Sequence, residues 1–130
     1  MKTTLMVAAL AALPASAVAE AGDQFDLACA GTYVEQGQAR PLNIVYHVDL
    51  RAKKYCRDLC GKVASIDDVA TDTLTFVMTS GGSGGWDVEQ VDRYSGRLEV
   101  VRTYYGVQRS GWGDCQVRPF TGMQPAPRKF

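Results

Sequence analysis

The segment LNIVYHVDL, residues 42–50, decides the fold class of this chain. Large apolar side chains recur at every second position, from Leu42 through Tyr46 to Leu50, and most of the intervening side chains are polar. An alternation with a period of two residues is typical of a β-strand that buries one face. The segment therefore predicts a strand whose inner face belongs to a hydrophobic core.

Weaker strand signals surround this segment, and the predicted fold class follows from their number. They lie at residues 25–29, 72–79, 86–91, 98–105 and 115–117, with one more short strand and a turn within residues 62–72. No long segment shows the 3.6-residue period of a helix. We therefore predict an all-β fold, an antiparallel sandwich or small barrel of six to seven strands. Residues 51–60 are predicted to form a turn or a short helix, and a helix that packed on the sheet would make the fold α+β.

The connections between these strands are predicted from their glycines. The segment VDRYSGRLEV, residues 91–100, indicates a hairpin that turns at Ser95 and Gly96, because glycine readily adopts the positive φ that short hairpin loops need. The glycines of SGGSGG, residues 80–85, indicate a flexible connector. Residues 106–114 are predicted to form a glycine-spaced loop.

The first 19 residues have the plan of a secretory signal peptide. Lys2 precedes an apolar run from Leu5 to Leu13, and Ala17-Val18-Ala19 gives the small-x-small pattern of a cleavage site. The run is too short to span a hydrocarbon core of roughly 30 Å, so no membrane span should remain after cleavage. We predict a periplasmic or secreted protein, with a single β domain over residues 20–120 and a C-terminal tail over 121–130.

The charge of the chain is balanced. It contains 14 Lys+Arg and 14 Asp+Glu, and cleavage after residue 19 would remove Lys2, leaving 13 basic against 14 acidic residues. A balanced total does not favour nucleic acid as a partner. The partner stays unknown from composition, with a protein or an anionic envelope component as candidates.

The segment KKYCRDLCGK, residues 53–62, contains two of the four cysteines. An even number of cysteines in a small exported domain predicts disulfides. Spacing allows three pairings; we favour a local Cys56–Cys60 loop and a Cys29–Cys115 clasp between the first and last strands. A zinc site would need four Cys or His ligands, commonly in C-x2-C or C-x4-C pairs. The chain has one histidine and a C-x3-C pair, so we predict no metal and no cofactor.

His47 is the sole candidate for a catalytic base. Asp49 lies two residues further on, on the same strand face, and could orient it. However, no serine sits in a Gly-x-Ser-x-Gly elbow, and the cysteines are expected to be oxidised. We predict a surface histidine on the outer face and no catalytic residue; the alternative is a hydrolase assembled from distant strands, for instance with Asp49 and His47.

Two segments carry residue types that are common in binding sites. The first is a basic segment beside the local disulfide, with Arg51, Lys53, Lys54 and Arg57. The second surrounds the glycine-spaced loop, with Tyr104, Tyr105, Arg109 and Trp112. Basic clusters attract anionic partners, and Trp, Tyr and Arg dominate binding hot spots. These segments predict a non-catalytic binding module; the further alternative is a structural envelope protein without a ligand.

Three motifs carry a resemblance to known proteins. They are Cys29-Ala30-Gly31 after the first strand, YHVDLRAKKYC at 46–56, and VDRYSGRLEV at 91–100. Over residues 25 to 120 they resemble a type of small exported bacterial β-protein without an established activity. The chain is also similar to periplasmic inhibitors of c-type lysozyme, whose Ser-Gly-x-x-Tyr loop is matched by Ser95-Gly96-Arg97-Leu98 without the tyrosine. That similarity implies a β-barrel and an envelope-directed hydrolase as partner, and no inhibitory residue carries over.

Overall fold

The computed structural model describes residues 22–80 and 85–124. The predicted signal peptide, most of the predicted connector and the end of the predicted tail lie outside this range. The described residues form nine strands: β1 (Gln24–Glu35), β2 (Gln38–Asp49), β3 (Lys54–Arg57), β4 (Ala64–Ser65), β5 (Asp68–Val69), β6 (Thr73–Ser80), β7 (Trp86–Asp92), β8 (Arg97–Tyr104) and β9 (Val107–Arg118). All of them belong to one antiparallel sheet, in the order β4-β3-β2-β1-β9-β8-β7-β6-β5.

The sheet curls because its two edge strands are neighbours in sequence. β4 and β5 lie at opposite edges, yet only Ile66 and Asp67 connect them. The Asp67 carboxylate also accepts a hydrogen bond of 2.6 Å from the backbone N–H of Met78 on β6. Across the concave side, the rings of Tyr46 on β2 and Phe76 on β6 stack with centroids 4.3 Å apart. The result is a half-barrel whose core fills its concave face.

The predicted all-β class is confirmed, whereas the predicted strand count, the α+β alternative and the sandwich are wrong. The strand count is nine rather than six to seven, because strands of two to four residues, such as β3, β4 and β5, offer too few alternating positions to be seen in the sequence. Residues 51–60 contain no helix: a turn leads into β3 and a second turn follows it. The α+β alternative is therefore wrong. So is the sandwich, since the described strands form one curled sheet.

Both favoured disulfides are confirmed. Cys29 and Cys115 are direct cross-strand partners on β1 and β9, and their sulfurs are bonded. Cys56 and Cys60 close the turn after β3. All four cysteines of the chain are therefore paired. Such pairing indicates an oxidising, extracytoplasmic environment.

Two hairpins turn within two residues, and one of them corrects a loop prediction. Gln36 and Gly37 have φ of 49° and 76°, and Tyr105 and Gly106 have φ of 48° and 76°. Positive φ at both central residues is typical of tight two-residue hairpin loops. The chain therefore re-enters the sheet at Val107, and the predicted loop at 106–114 is mostly the first half of β9. The predicted hairpin at 91–100 is confirmed, with Gly96 at a φ of 75°.

Candidate functional site

A groove of about 330 Å³ opens at the end of the half-barrel where β1 and β2 are joined. Its apolar lining includes Tyr33, Leu42 and Val100, and its polar lining includes Arg40, Arg57 and Arg102. These side chains come from β1, β2, β3 and β8. The curl of the sheet brings them together, since β3 and β8 are separated by three strands in the sheet order.

A glycine on β9 shapes the apolar wall of the groove. Gly111 is buried, and a Cβ at this position would lie 2.8 Å from Cδ1 of Leu42 and 2.9 Å from Cδ2 of Tyr33. Real Cβ atoms do not approach other carbons so closely. The glycine therefore lets Leu42 and Tyr33 pack over β9, and it fixes the wall before any ligand arrives.

A buried carboxylate anchors the polar side of the groove. Glu89 on β7 is 2% exposed. Nη1 of Arg57 donates to Oε1 at 3.1 Å and to Oε2 at 3.4 Å. Nη2 of Arg102 lies 3.5 Å from Oε2, and the hydroxyl of Tyr46 donates to Oε1. Since an unpaired buried charge is strongly destabilising, these partners explain how the fold tolerates Glu89.

The tyrosine in this network is a permanent donor at ordinary pH. Burial, together with the negative charge of Glu89, raises the pKa of the Tyr46 phenol far above its usual range. The pKa of Tyr55 is raised by the same two causes, burial first. Tyr46 therefore keeps its proton and holds the carboxylate in place, and it has no role as a base near neutral pH.

His47 lies on the convex face but is only 9% exposed, so the predicted surface histidine is wrong. Its Nδ1 is 2.8 Å from Oδ1 of Asp26, and its Nε2 is 2.7 Å from the carbonyl oxygen of Asp58. The hydroxyl of Thr121 donates to Oδ2 of Asp26 at 2.6 Å. The residues that follow β9 thus cover the imidazole. Both ring nitrogens of His47 therefore lie within hydrogen-bond distance of oxygen atoms.

The proposed pairing of Asp49 with His47 does not form. The Asp49 carboxylate accepts hydrogen bonds of 2.9 Å from the backbone N–H of Ala52 and from Nε2 of Gln24. These two hydrogen bonds lower the pKa of Asp49, and the bond from Ala52 has the larger effect. The strand alternation placed both residues on one face, but it could not identify Asp26, which comes from the neighbouring strand, as the partner of the histidine.

The aromatic residues predicted to bind are divided between two places. Tyr104 and Tyr105 project from the β8–β9 turn with their rings 5.2 Å apart, edge to face, and Tyr105 is 83% exposed. Trp112 lies five residues beyond Val107, roughly 17 Å further along β9. Its neighbours Gly111 and Gly113 face the core, so its ring lies on the convex side. The structure therefore does not bring Trp112 and the two tyrosines together on one loop, and binding by these residues stays a prediction.

The charged residues predicted to bind are also separated. Arg51 pairs with Asp23 at 3.3 Å, and Nζ of Lys54 donates to Ser65 at 2.8 Å. The remaining predicted positions are Lys53, which is exposed; Arg57, which points to Glu89; and Arg109, which pairs with Glu35 at 2.9 Å. The basic segment is therefore not one surface, and of its members only Arg57 lines the groove.

Two charged residues, one that lines the groove and one that lies beneath it, were missed although the sequence contained a signal for them. Arg102 shares a strand face with Leu98 and Val100, which are buried. Glu89 shares a face with Val91, which is also buried. A charged residue on the core-facing side of an alternating strand indicates a buried ion pair or a lined cavity. That signal points to residues but not to their partners.

Neither a metal centre nor a membrane helix is found in the described part of the chain. No three His, Cys, Asp or Glu side chains within residues 22–80 and 85–124 are grouped to hold a metal ion. The same residues include no helix with the length and apolar character to cross a bilayer. Comparison with protein-family models, with curated proteins and with solved structures gives no significant match.

Proposed function

We propose that the protein is a non-catalytic binding module of the periplasm or the external medium, and that it holds a small ligand in the groove at the end of the half-barrel. The observation that carries this proposal is the preformed groove itself. Its volume of about 330 Å³ lies within the range typical of small-molecule sites. Gly111 fixes one wall and the buried Glu89 fixes the arginines of the other, so little order has to be gained on binding.

The environment of the ionisable groups supports binding rather than catalysis. His47, the single histidine of the chain, has both ring nitrogens engaged and is covered by the segment after β9. A glycosidase-type acid would need a protonated carboxyl group in an apolar pocket. Glu89 instead accepts hydrogen bonds from a phenol and a guanidinium group and pairs with a second.

The tip of the β8–β9 hairpin is a second candidate contact surface, for a protein partner. Tyr104 and Tyr105 form an exposed edge-to-face pair there. Exposed tyrosines supply contact area at a low cost in conformational entropy. The resemblance to periplasmic lysozyme inhibitors makes c-type lysozyme the first protein to test against this surface.

Ligand recovery with a pair of tryptophan variants tests the groove. The oxidised protein is incubated with a small-molecule extract of the envelope and separated by gel filtration, and the molecules released on denaturation are identified by mass spectrometry. Ile44→Trp fills the groove, whereas Val45→Trp adds the same bulk to a half-buried position on the opposite face of β2. We expect a ligand from the wild type and from Val45→Trp but not from Ile44→Trp.

A parallel gel-filtration run with c-type lysozyme, using wild type and Tyr105→Ala, tests the hairpin tip. If the wild type retains no small molecule, the proposed groove function is wrong. If it retains one equally well after Ile44→Trp, the ligand binds elsewhere. A comigrating lysozyme complex that Tyr105→Ala abolishes would favour the protein-binding alternative. Near-UV circular dichroism of each variant verifies that it is folded.

A further inference from the structure

The groove contains more positive than negative charge. Arg40, Arg57 and Arg102 contribute three positive charges to its lining, and Glu89 contributes one negative charge beneath it. The fourth charged side chain of the lining, Glu35, is neutralised by its ion pair of 2.9 Å with an arginine outside the groove. Two positive charges are therefore left without a counter-charge among the residues that the structure describes there.

The geometry of the arginines leaves hydrogen-bond donors available. Arg57 and Arg102 each use one terminal nitrogen on Glu89. A guanidinium group carries five N–H donors, so most donors of both side chains are not committed to this carboxylate. Their side chains are 38% and 35% exposed, against 2% for Glu89, so the uncommitted parts reach the groove and the solvent. Arg40 forms no ion pair within residues 22–80 and 85–124.

The donors and the apolar wall face the same volume. Arg40 shares its strand face with Leu42 on β2, and Arg102 shares its face with Val100 on β8. The ring of Tyr33 lies beside them. A ligand that satisfied both halves of the groove would carry an anionic group next to an apolar body. Guanidinium groups bind carboxylate and phosphate in two-point geometry, which makes these two groups the best match.

We propose that the groove binds an organic anion, with a carboxylate or phosphate group held by Arg40, Arg57 and Arg102. The apolar body of the ligand packs against Tyr33 and Leu42. The inference rests on the proposed binding function and deepens it by naming the chemical class of the ligand. Glu89 keeps two of the arginines in position and partly offsets their repulsion, so the site is ordered before the anion enters.

Calorimetric titration with a matched set of probes tests the ligand class. The probes are octanoate, octyl phosphate, octanol and inorganic phosphate, each added to the oxidised protein at low salt. We expect octanoate or octyl phosphate to bind at least about 10-fold more tightly than octanol, because a hydrogen bond to a charged group contributes about 1.5–3 kcal/mol. Added salt should weaken the binding, since the arginines are partly exposed.

Three glutamine variants locate the anion. Arg102→Gln should weaken binding of the preferred anion about 10-fold or more. Arg40→Gln, which removes no ion pair among the described residues, should weaken it by about threefold or more without affecting folding. Arg97→Gln removes an exposed charge from the opposite end of β8 and should leave the affinity unchanged. Amide chemical-shift changes on titration should include Tyr33 and Val100.

Several results would overturn the anion site. One is an octanol affinity equal to that of octanoate and octyl phosphate, which would mean that the groove binds apolar groups without regard to charge. Another is an unchanged affinity in both Arg40→Gln and Arg102→Gln. A third is that neither octanoate nor octyl phosphate binds. If the wild type nevertheless recovers a ligand from the envelope extract and Ile44→Trp does not, the binding function holds and the ligand class is wrong.

Discussion

Replacing the Cys29–Cys115 disulfide should destabilise the fold much more than replacing Cys56–Cys60. The first bond links strands β1 and β9 across a sequence separation of 86, and the second closes a turn with a separation of 4. A cross-link removes conformations from the unfolded chain, and the entropy it removes grows with the logarithm of the loop length. The two bonds therefore provide a long and a short loop within one protein.

The expected magnitudes follow from the loop lengths. The loop-entropy relation gives about 4.6 kcal/mol at 25 °C for a separation of 86 and about 1.9 kcal/mol for a separation of 4. Cys29, Cys56 and Cys60 are all buried, so both pairs lose packing when they are replaced by alanine. That loss largely cancels between the two double variants. Their free energies of unfolding should differ by about 2.7 kcal/mol.

Urea unfolding of the two double alanine variants, followed by tryptophan fluorescence, measures this difference. Mass spectrometry of the unreduced proteins verifies that the remaining disulfide is intact in each. If the two variants lose the same free energy of unfolding, or if Cys56→Ala/Cys60→Ala loses more, loop closure is not the main contribution of the long bond. In that case the local contacts of the turn after β3 would determine the ranking.

Three other perturbations have defined outcomes. Burial raises the pKa of Tyr46 in the folded state, so with rising pH the phenol ionises first in the unfolded chain. The free energy of unfolding should therefore fall by about 1.4 kcal/mol per pH unit above pH 10 because of this one group. In urea unfolding, Tyr46→Phe should lack this contribution to the pH dependence. A Cβ at Gly31 would overlap the backbone of β9, so Gly31→Ala should lower the free energy of unfolding in urea by at least about 2 kcal/mol. The control is Gly61→Ala, whose added Cβ has no atom within 4 Å and which should lower it by less than about 0.5 kcal/mol. Thr121→Val removes a hydrogen bond that holds the segment after β9, so His47 should react faster with diethylpyrocarbonate; an unchanged rate would mean that other contacts hold the segment.

The parts of the fold that could be predicted are those in which one face of a strand is buried. Leu42, Tyr46 and Val48 line the core as their alternation predicted. The hairpin at 91–100 followed from the same alternation combined with a glycine at the turn. In these segments the sequence pattern and the tertiary environment agree, because burial on one face is the physical cause of the pattern.

Residues 106–114 were wrongly predicted to form a loop because the glycines of this segment have different structural roles. Gly106 adopts a φ of 76° in a turn, as a loop prediction assumes. Gly111 and Gly113 lie inside a strand, where the groups of neighbouring strands approach too closely for a side chain. A Cβ at Gly113 would lie 2.7 Å from the carbonyl oxygen of Ala30, more than 80 residues earlier in the chain. The sequence cannot distinguish the two cases, because close approach depends on which strand is adjacent.

The same dependence on distant neighbours explains what was missed at the candidate site. The strand pattern placed Arg102 on a face with core residues, and it placed His47 on the opposite face of its own strand. It could not reveal that Arg57 would meet Glu89, 32 residues later in the chain. Nor could it show that Thr121, in the predicted tail, would cover the histidine. Each contact joins segments whose order in the sheet is not encoded locally.

The candidate groove depends on the curl of the sheet more than on any one strand. β2 and β7 are four steps apart in the sheet order, which would separate them by roughly 19 Å if the sheet were flat. Nevertheless the Tyr46 hydroxyl on β2 donates to Glu89 on β7. Glu89 is therefore both a contact that closes the half-barrel and the anchor of two groove arginines. Because Tyr46 and Arg57 still hold Glu89 when Arg102 is absent, Arg102→Gln should weaken anion binding while the curl persists. Glu89→Leu should disturb both the curl and anion binding, since it removes the carboxylate that Tyr46, Arg57 and Arg102 share.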